Sequence, residues 1–139
     1  MCVKSEMWEA VKAGMDGYWD AVRLENGLVS DLPDVEFCLK GGVAGWLELE
    51  TIAKWPMRAG SIVRVPQLTA HKKLFNRRRR MWGGNAFVLV KVEDDWFIFS
   101  EIFGLGNLWN KKDWYANCKF HWTGTPNWNE FRRTLKGEW

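Results

Sequence analysis

Three acidic residues stand out by type and spacing. Asp34 follows Pro33, and Glu48 and Glu50 come fourteen and sixteen positions later, inside the run Gly45-Trp46-Leu47-Glu48-Leu49-Glu50. That run reads as a strand. Side chains two apart on a strand share a face, so Glu48 and Glu50 lie together while Leu47 and Leu49 take the other side. Two carboxylates about 7 Å apart repel by roughly 2 kcal/mol at an effective dielectric near 20. A divalent cation reverses that sign, because Mg²⁺ is held by one or two carboxylates together with substrate phosphate oxygens. The plain alternative is the solvated acidic face of an antiparallel sheet.

Positive charge is concentrated in one stretch. Lys72-Lys73 and Arg77-Arg78-Arg79-Arg80 fall between Leu68 and Trp82, a segment that Thr69 can cap and Gly83-Gly84 can end, which predicts a helix. Leu68, Lys72, Phe75, Arg79 and Trp82 recur at steps of four and three and form one stripe, predicted to face the sheet. A lysine among apolar neighbours needs a partner, and Glu48 or Glu50 is the natural one. Lys73, Arg77 and Arg80 share the outer stripe. They suit either an ordinary solvated face or a phosphate backbone, whose binding would depend steeply on salt. Arg58 and Arg64 lie in the irregular stretch 53–67, where they are placed to close over the same strand. His71 reads as a surface residue, and Trp46 shares the acidic face.

The elements that must position these groups follow from periodicity. Met7, Trp8, Val11 and Met15 predict a helix over 5–15 with Ser5 as its cap. A strand-like segment runs from Tyr18 to Glu25 and ends at the turn dipeptide Asn26-Gly27. Residues 34–40 alternate, with Val35, Phe37 and Leu39 facing one way and Asp34, Glu36 and Cys38 the other. Gly41-Gly42 turns the chain into a strand over 43–52. The apolar runs 86–92 and 96–100 form a hairpin around Glu93-Asp94-Asp95. Thr125-Pro126 opens a last helix through about Leu135. The order αβββαββ, followed by a tryptophan-rich helical tail, predicts an α/β (α+β) fold with a mixed sheet flanked by helices.

Composition sets bounds on function. The chain has 139 residues, 11 tryptophans, 8 phenylalanines and a net charge of +3, enough for one domain with a real core. The mild net charge leaves any nucleic-acid argument to local clusters. Cys2, Cys38 and Cys118 are odd in number and widely spaced, which reads as reduced thiols in a cytoplasmic protein without structural zinc. No apolar run approaches the ~18 residues of a membrane span. Trp109, Trp114, Tyr115, Trp122 and Trp128 read as cover for the sheet.

The order of these motifs resembles the PD-(D/E)xK nuclease superfamily, the restriction-endonuclease-like fold. It is most similar to small phage-type nucleases of the VRR-NUC group and to Holliday-junction-resolvase-like nucleases. The residues carrying the resemblance are Trp8, Arg23-Leu24-Glu25-Asn26, Pro33-Asp34-Val35, Gly45 to Glu50, Trp55-Pro56-Met57-Arg58, Thr69-Ala70-His71-Lys72 and Gly83-Gly84. The resemblance implies one nuclease-like domain over 1–139, with a core at 5–100 and an aromatic extension at 101–139. It also implies a Mg²⁺- or Mn²⁺-dependent DNA endonuclease in the cytoplasm of a bacterial host, acting by substrate shape, with branched DNA such as a Holliday junction among its substrates and a homodimer as its assembly. Asp34 and Glu48 stand at the metal-binding positions, and the Leu49 carbonyl is a further ligand. Asp31 replaces a glycine, Glu50 replaces the signature lysine and Lys72 replaces a glutamine. Lys72 is therefore expected to supply the missing ammonium while Glu50 joins the metal ligands. Glu9 or Glu25 could stand as an outer acid. The rival reading is a nuclease-fold DNA-binding protein that has lost cleavage. A third, an acidic DNA-like inhibitor, is opposed by the arginine run.

Overall fold

The computed structural model describes residues 3–24 and 32–138. Helix α1 spans Val3–Gly14. Strands β1 (Trp19–Arg23), β2 (Val35–Leu39) and β3 (Val43–Ile52) follow, then helix α2 (Ala70–Met81), strands β4 (Asn85–Val92) and β5 (Asp95–Phe99), helix α3 (Lys111–Asn117), strand β6 (Phe120–Thr123) and helix α4 (Trp128–Leu135). The six strands form one sheet in the order β1-β2-β3-β4-β5-β6. Neighbours are antiparallel except β3 and β4, which run parallel. A parallel pair needs a long crossover, and residues 53–84, including α2, supply it.

Alternation fixes which face each strand residue takes. Val35, Phe37 and Leu39 are buried and Glu36 and Cys38 exposed, as the pattern predicts. Leu47 and Leu49 join them under α1, against Met7, Trp8, Val11 and Met15, with Phe131 and Leu135 of α4 on the same face. The opposite face packs Val88, Val90, Phe97 and Phe99 against Val63, Val65, Leu105, Trp109 and Trp114. Glu48 and Glu50 lie beside Val88 and Val90 in register, so they belong to this second face. Burying Leu47 and Leu49 stabilises by about 1.5–3 kcal/mol each. A slip of one residue would lose that burial and reverse both acids.

Several predicted boundaries shift. Helix α1 begins at Val3, and Ser5 lies within its first turn, with its hydroxyl 3.5 Å from Arg23 Nη1. The reason is that Lys4 continues the buried stripe of Trp8, Val11 and Met15 one turn further back. Thr69 caps α2 as predicted, accepting from the Lys72 amide at 3.3 Å. The helix closes as a Schellman turn, in which Gly83 at φ +84° and Gly84 donate to the Arg80 and Arg79 carbonyls at 3.0 and 2.8 Å. The stripe predicted for α2 breaks at its end, since Trp82 is 89% exposed and Asn76 is the helix residue that is buried. The tail is more than helical cover, because β6 adds a sixth strand beside β5. Asn127, rather than Thr125-Pro126, caps α4 through the amides of Asn129 and Glu130. Trp109, Trp114 and Trp122 are buried against the sheet as expected. The predicted Asn26-Gly27 turn, Glu25, Asp31 and Cys2 lie outside the described residues.

Candidate metal centre

Asp34 immediately precedes β2, and its parity sends it to the face opposite Val35. Its Oδ2 accepts the Leu49 amide at 2.8 Å in a buried hydrogen bond. Pairing between β2 and β3 ends at Val35 and Leu47, so this side chain takes the place of the next backbone partner. The N–H and C=O of one strand residue point toward the same neighbour, which turns the Leu49 carbonyl to this edge as well. Glu48 and Glu50 are 3% and 2% exposed. One oxygen from each of Asp34, Glu48 and Glu50 lies within 4.8 Å of the others.

Two ammonium groups meet this cluster. Lys72 Nζ stands 2.9 Å from Glu48 Oε2 and 3.6 Å from Glu50 Oε2. Lys4 Nζ, from the first turn of α1, stands 2.9 Å from Asp34 Oδ2, 3.7 Å from Glu48 Oε2 and 4.0 Å from Glu50 Oε2. The structure thus brings Asp34, Glu48, Glu50 and Lys72 together. Sequence reasoning missed Lys4, although its spacing of four and seven residues before Trp8 and Val11 places it on the buried stripe.

Electrostatics make the site costly without a cation. Burial, the hydrogen bond to Glu50 and the charges of Asp34 and Glu50 push Glu48 up to about 9, with Lys4 pulling the other way. Burial pulls Lys72 down, but Glu48, Glu50 and Asp34 outweigh it and hold the ammonium above its ordinary value. Three carboxylates face two ammonium groups, so one proton on Glu48 leaves the cluster neutral. Even then Glu48 Oε1 and Glu50 Oε2 are buried without accepting a hydrogen bond from either lysine, Glu50 Oε2 having only the longer ion-pair contacts at 3.6 and 4.0 Å. Orphaned buried oxygens carry a desolvation penalty of about 1–3 kcal/mol each, more when charged. An all-oxygen set with open valence fits a hard divalent ion.

The predicted phosphate contacts do not form one cluster: three line a groove beside α2 and two lie on the connection before it. Lys73, Arg77 and Arg80 share a groove of about 340 Å³ with Glu101 and Phe103. Lys73 Nζ donates to Asn107 Oδ1 at 2.9 Å, and burial lowers its pKa. Arg80 pairs with Glu101, so one cation of the outer stripe is already matched by an acid. Arg77 is exposed, as are Arg58 and Arg64 on the 53–69 connection, where Arg64 forms a bridge with Gly106. Arg79 lies over the rings of Trp46 and Phe75. His71 and Cys38 are exposed, and Glu9 is spent on Lys12 at 3.1 Å.

A mixed sheet whose acids come from the end of an antiparallel strand and from the strand entering a helical crossover is consistent with a restriction-endonuclease-like core. Among solved structures the chain is similar to a VRR_NUC domain, at 19% identity and a TM-score of 0.45, over 67% of this chain and 86% of that one. It is also similar to Hjc, a Holliday junction resolvase from Archaeoglobus fulgidus, at 17% identity and a TM-score of 0.49, over 83% of this chain and 88% of that one. No protein-family model and no curated protein matches the chain. Among the described residues no helix is long and apolar enough to cross a membrane.

Proposed function

We propose that this chain is a divalent-metal-dependent DNA endonuclease that hydrolyses phosphodiester bonds and selects its substrate by shape. The observation that carries the reading is the convergence of three buried carboxylates, Asp34, Glu48 and Glu50, within 4.8 Å of one another beside the Lys72 ammonium, with acceptor capacity on Glu48 and Glu50 that the two lysines leave unfilled. Mg²⁺ or Mn²⁺ held by Asp34, Glu48, Glu50 and the Leu49 carbonyl would supply Lewis-acid polarisation of the phosphate and a bound water of lowered pKa. The chain's own groups do the rest. The Leu49 amide fixes Asp34 in one rotamer. The Lys72 ammonium donates to a phosphate oxygen and stabilises the charge that develops there. Lys73, Arg77, Arg58 and Arg64 contact the flanking backbone. A homodimer presenting two such sites would suit branched DNA.

Lys4 favours a second reading from another class. Its ammonium contacts all three acids, and a chain neutralised by its own lysines would bind DNA without cutting it. Nicking of supercoiled plasmid in Mg²⁺ or Mn²⁺, against an EDTA control, separates the two. The nuclease reading expects nicking that Asp34→Asn and Glu48→Gln abolish. It also expects Lys72→Ala to slow nicking by roughly 10²–10³ while DNA binding persists. Absence of nicking by the unmodified chain in either metal, with DNA binding retained, establishes the second reading.

A further inference from the structure

One flank of α2 carries a feature that the acidic centre does not use. Trp82, at the C-cap of the helix, is almost fully exposed, although no side chain has more apolar surface to gain by burial. It lines a pocket of about 300 Å³ with Phe75, Arg78 and Arg79. The pocket wall is well ordered by contacts. Phe75 meets Trp46 edge-on at 5.3 Å, and the Arg79 guanidinium lies 5.0 Å from the Phe75 ring and 5.6 Å from the Trp46 ring. Trp46 stands two residues before Glu48 on the same face of β3, roughly 7 Å away along the strand. Phe75 lies about one turn beyond Lys72 on α2. The aromatic flank therefore leads directly out of the acidic centre. Among the described residues Arg78 forms no ion pair.

We propose that this flank binds an unpaired nucleotide of a DNA strand, with the base stacked on the Trp82 indole and the adjoining phosphate held by Arg78 and Arg79. The proposal rests on the DNA reading above and deepens it, making DNA with an unpaired stretch near the cut the preferred substrate class. Base–aromatic stacking tolerates any sequence, because every base offers a π-face, and arginine matches phosphate with two parallel donors. Charge decides against a second copy of the chain as the occupant. A two-fold contact would set the same patch against itself, and like-charged arginines would then face each other at a cost.

Fluorescence anisotropy of the full chain in EDTA tests this without cleavage intervening. The probes are a labelled single strand, its fully paired duplex, and the duplex with an internal unpaired stretch. The unmodified chain should prefer the two probes with unpaired bases. Trp82→Ala should weaken those two roughly tenfold and the duplex less than about twofold, while Trp82→Phe keeps most of the affinity. Arg78→Ala should weaken all three. An unchanged melting temperature of Trp82→Ala confirms intact packing. Equal losses on every probe, or no loss, overturn the proposal. So does sedimentation of the unmodified chain as a dimer that Trp82→Ala splits, since a second copy then covers the flank. A chain that nicks in Mn²⁺ with no Trp82 effect on binding keeps the nuclease reading and loses this site. A chain that never nicks but shows the Trp82-dependent preference keeps the site and loses the nuclease reading.

Discussion

Lys4 is a tethered cation set against all three acids that could hold a metal ion. It lies 2.9 Å from Asp34 and 3.7 Å from Glu48, and its side chain, on the open end of α1, is more exposed than that of Lys72. A unit charge removed from about 4 Å is worth up to about 4 kcal/mol at an effective dielectric of 20. Lys4 can swing toward water when an ion enters, so only part of that is recovered. We therefore expect Lys4→Met to bind Mn²⁺ roughly tenfold more tightly by titration calorimetry. An unchanged or weaker affinity means that Lys4 does not compete. Lys72 differs, because it approaches from the helix across the face and contacts Glu48 and Glu50 without touching Asp34. Its 2.9 Å contact is with Glu48 alone among the three acids, which leaves Asp34 to Lys4.

At the scale of elements, the parallel pair β3–β4 and its crossover decide where the chemistry stands. Strand β3 delivers Trp46, Glu48 and Glu50 to one face in a row, and α2 lays Phe75 and Lys72 beside them. The row depends on close strand packing at Gly45. A Cβ there would sit 2.6 Å from Phe37 Cζ and 2.7 Å from the Asn85 carbonyl oxygen. The carbonyl is backbone and cannot move aside without shifting β4. Gly45→Ala should therefore destabilise by about 1–3 kcal/mol, read as a lower melting temperature. In Mn²⁺ binding the same variant should lose affinity by displacing Glu48. At the far edge of the sheet Asp95 ties β5 to β6 and to the crossover, accepting from Trp55 Nε1 at 3.0 Å and Thr123 Oγ1 at 2.8 Å and pairing with His121 at 3.1 Å. Burial works against the Asp95 carboxylate, yet these bonds together hold its pKa below the ordinary range.

For the whole molecule, the sheet has two buried faces and one interrupted patch, and the patch should set how stability responds to pH. Folded Glu48 is raised from 4.5 to about 9. Between those values the native state keeps a proton that the unfolded chain has released. Its contribution to stability is thus fully present below 4.5 and is lost as pH rises through about 9. Urea unfolding of the metal-free protein should show stability falling with pH across that window, and Glu48→Gln should flatten the slope. Saturating Mn²⁺ should reverse the trend, because ligands must lose their protons to bind an ion. A Glu48→Gln profile identical to that of the unmodified chain would count against a buried proton at this position.

Local pattern alone was enough for much of this. Period-two alternation made β2 and β3 legible and put Glu48 and Glu50 on one face, and Thr69 and Gly83-Gly84 bounded α2, because these signals arise within a few bonds of the residues that show them. Lys72 beside Glu48 was also readable, since a lysine in phase with a buried stripe has to find an acid. What sequence left open are the encounters between segments that share no local period. Lys4 reaches Asp34 only because α1 packs across β3, beside which Asp34 lies, and Glu101 claims Arg80 only because the β5 exit passes α2. Trp82 kept the stripe's spacing but not its burial, standing at the C-cap just past the last helical residue, Met81. Strand β6 escaped notice because four residues carry too little periodicity, and its place is set by the open edge of β5. Sequence determined which groups share a face. The tertiary structure decided which faces meet, since that depends on chain segments closing over distances no local pattern encodes.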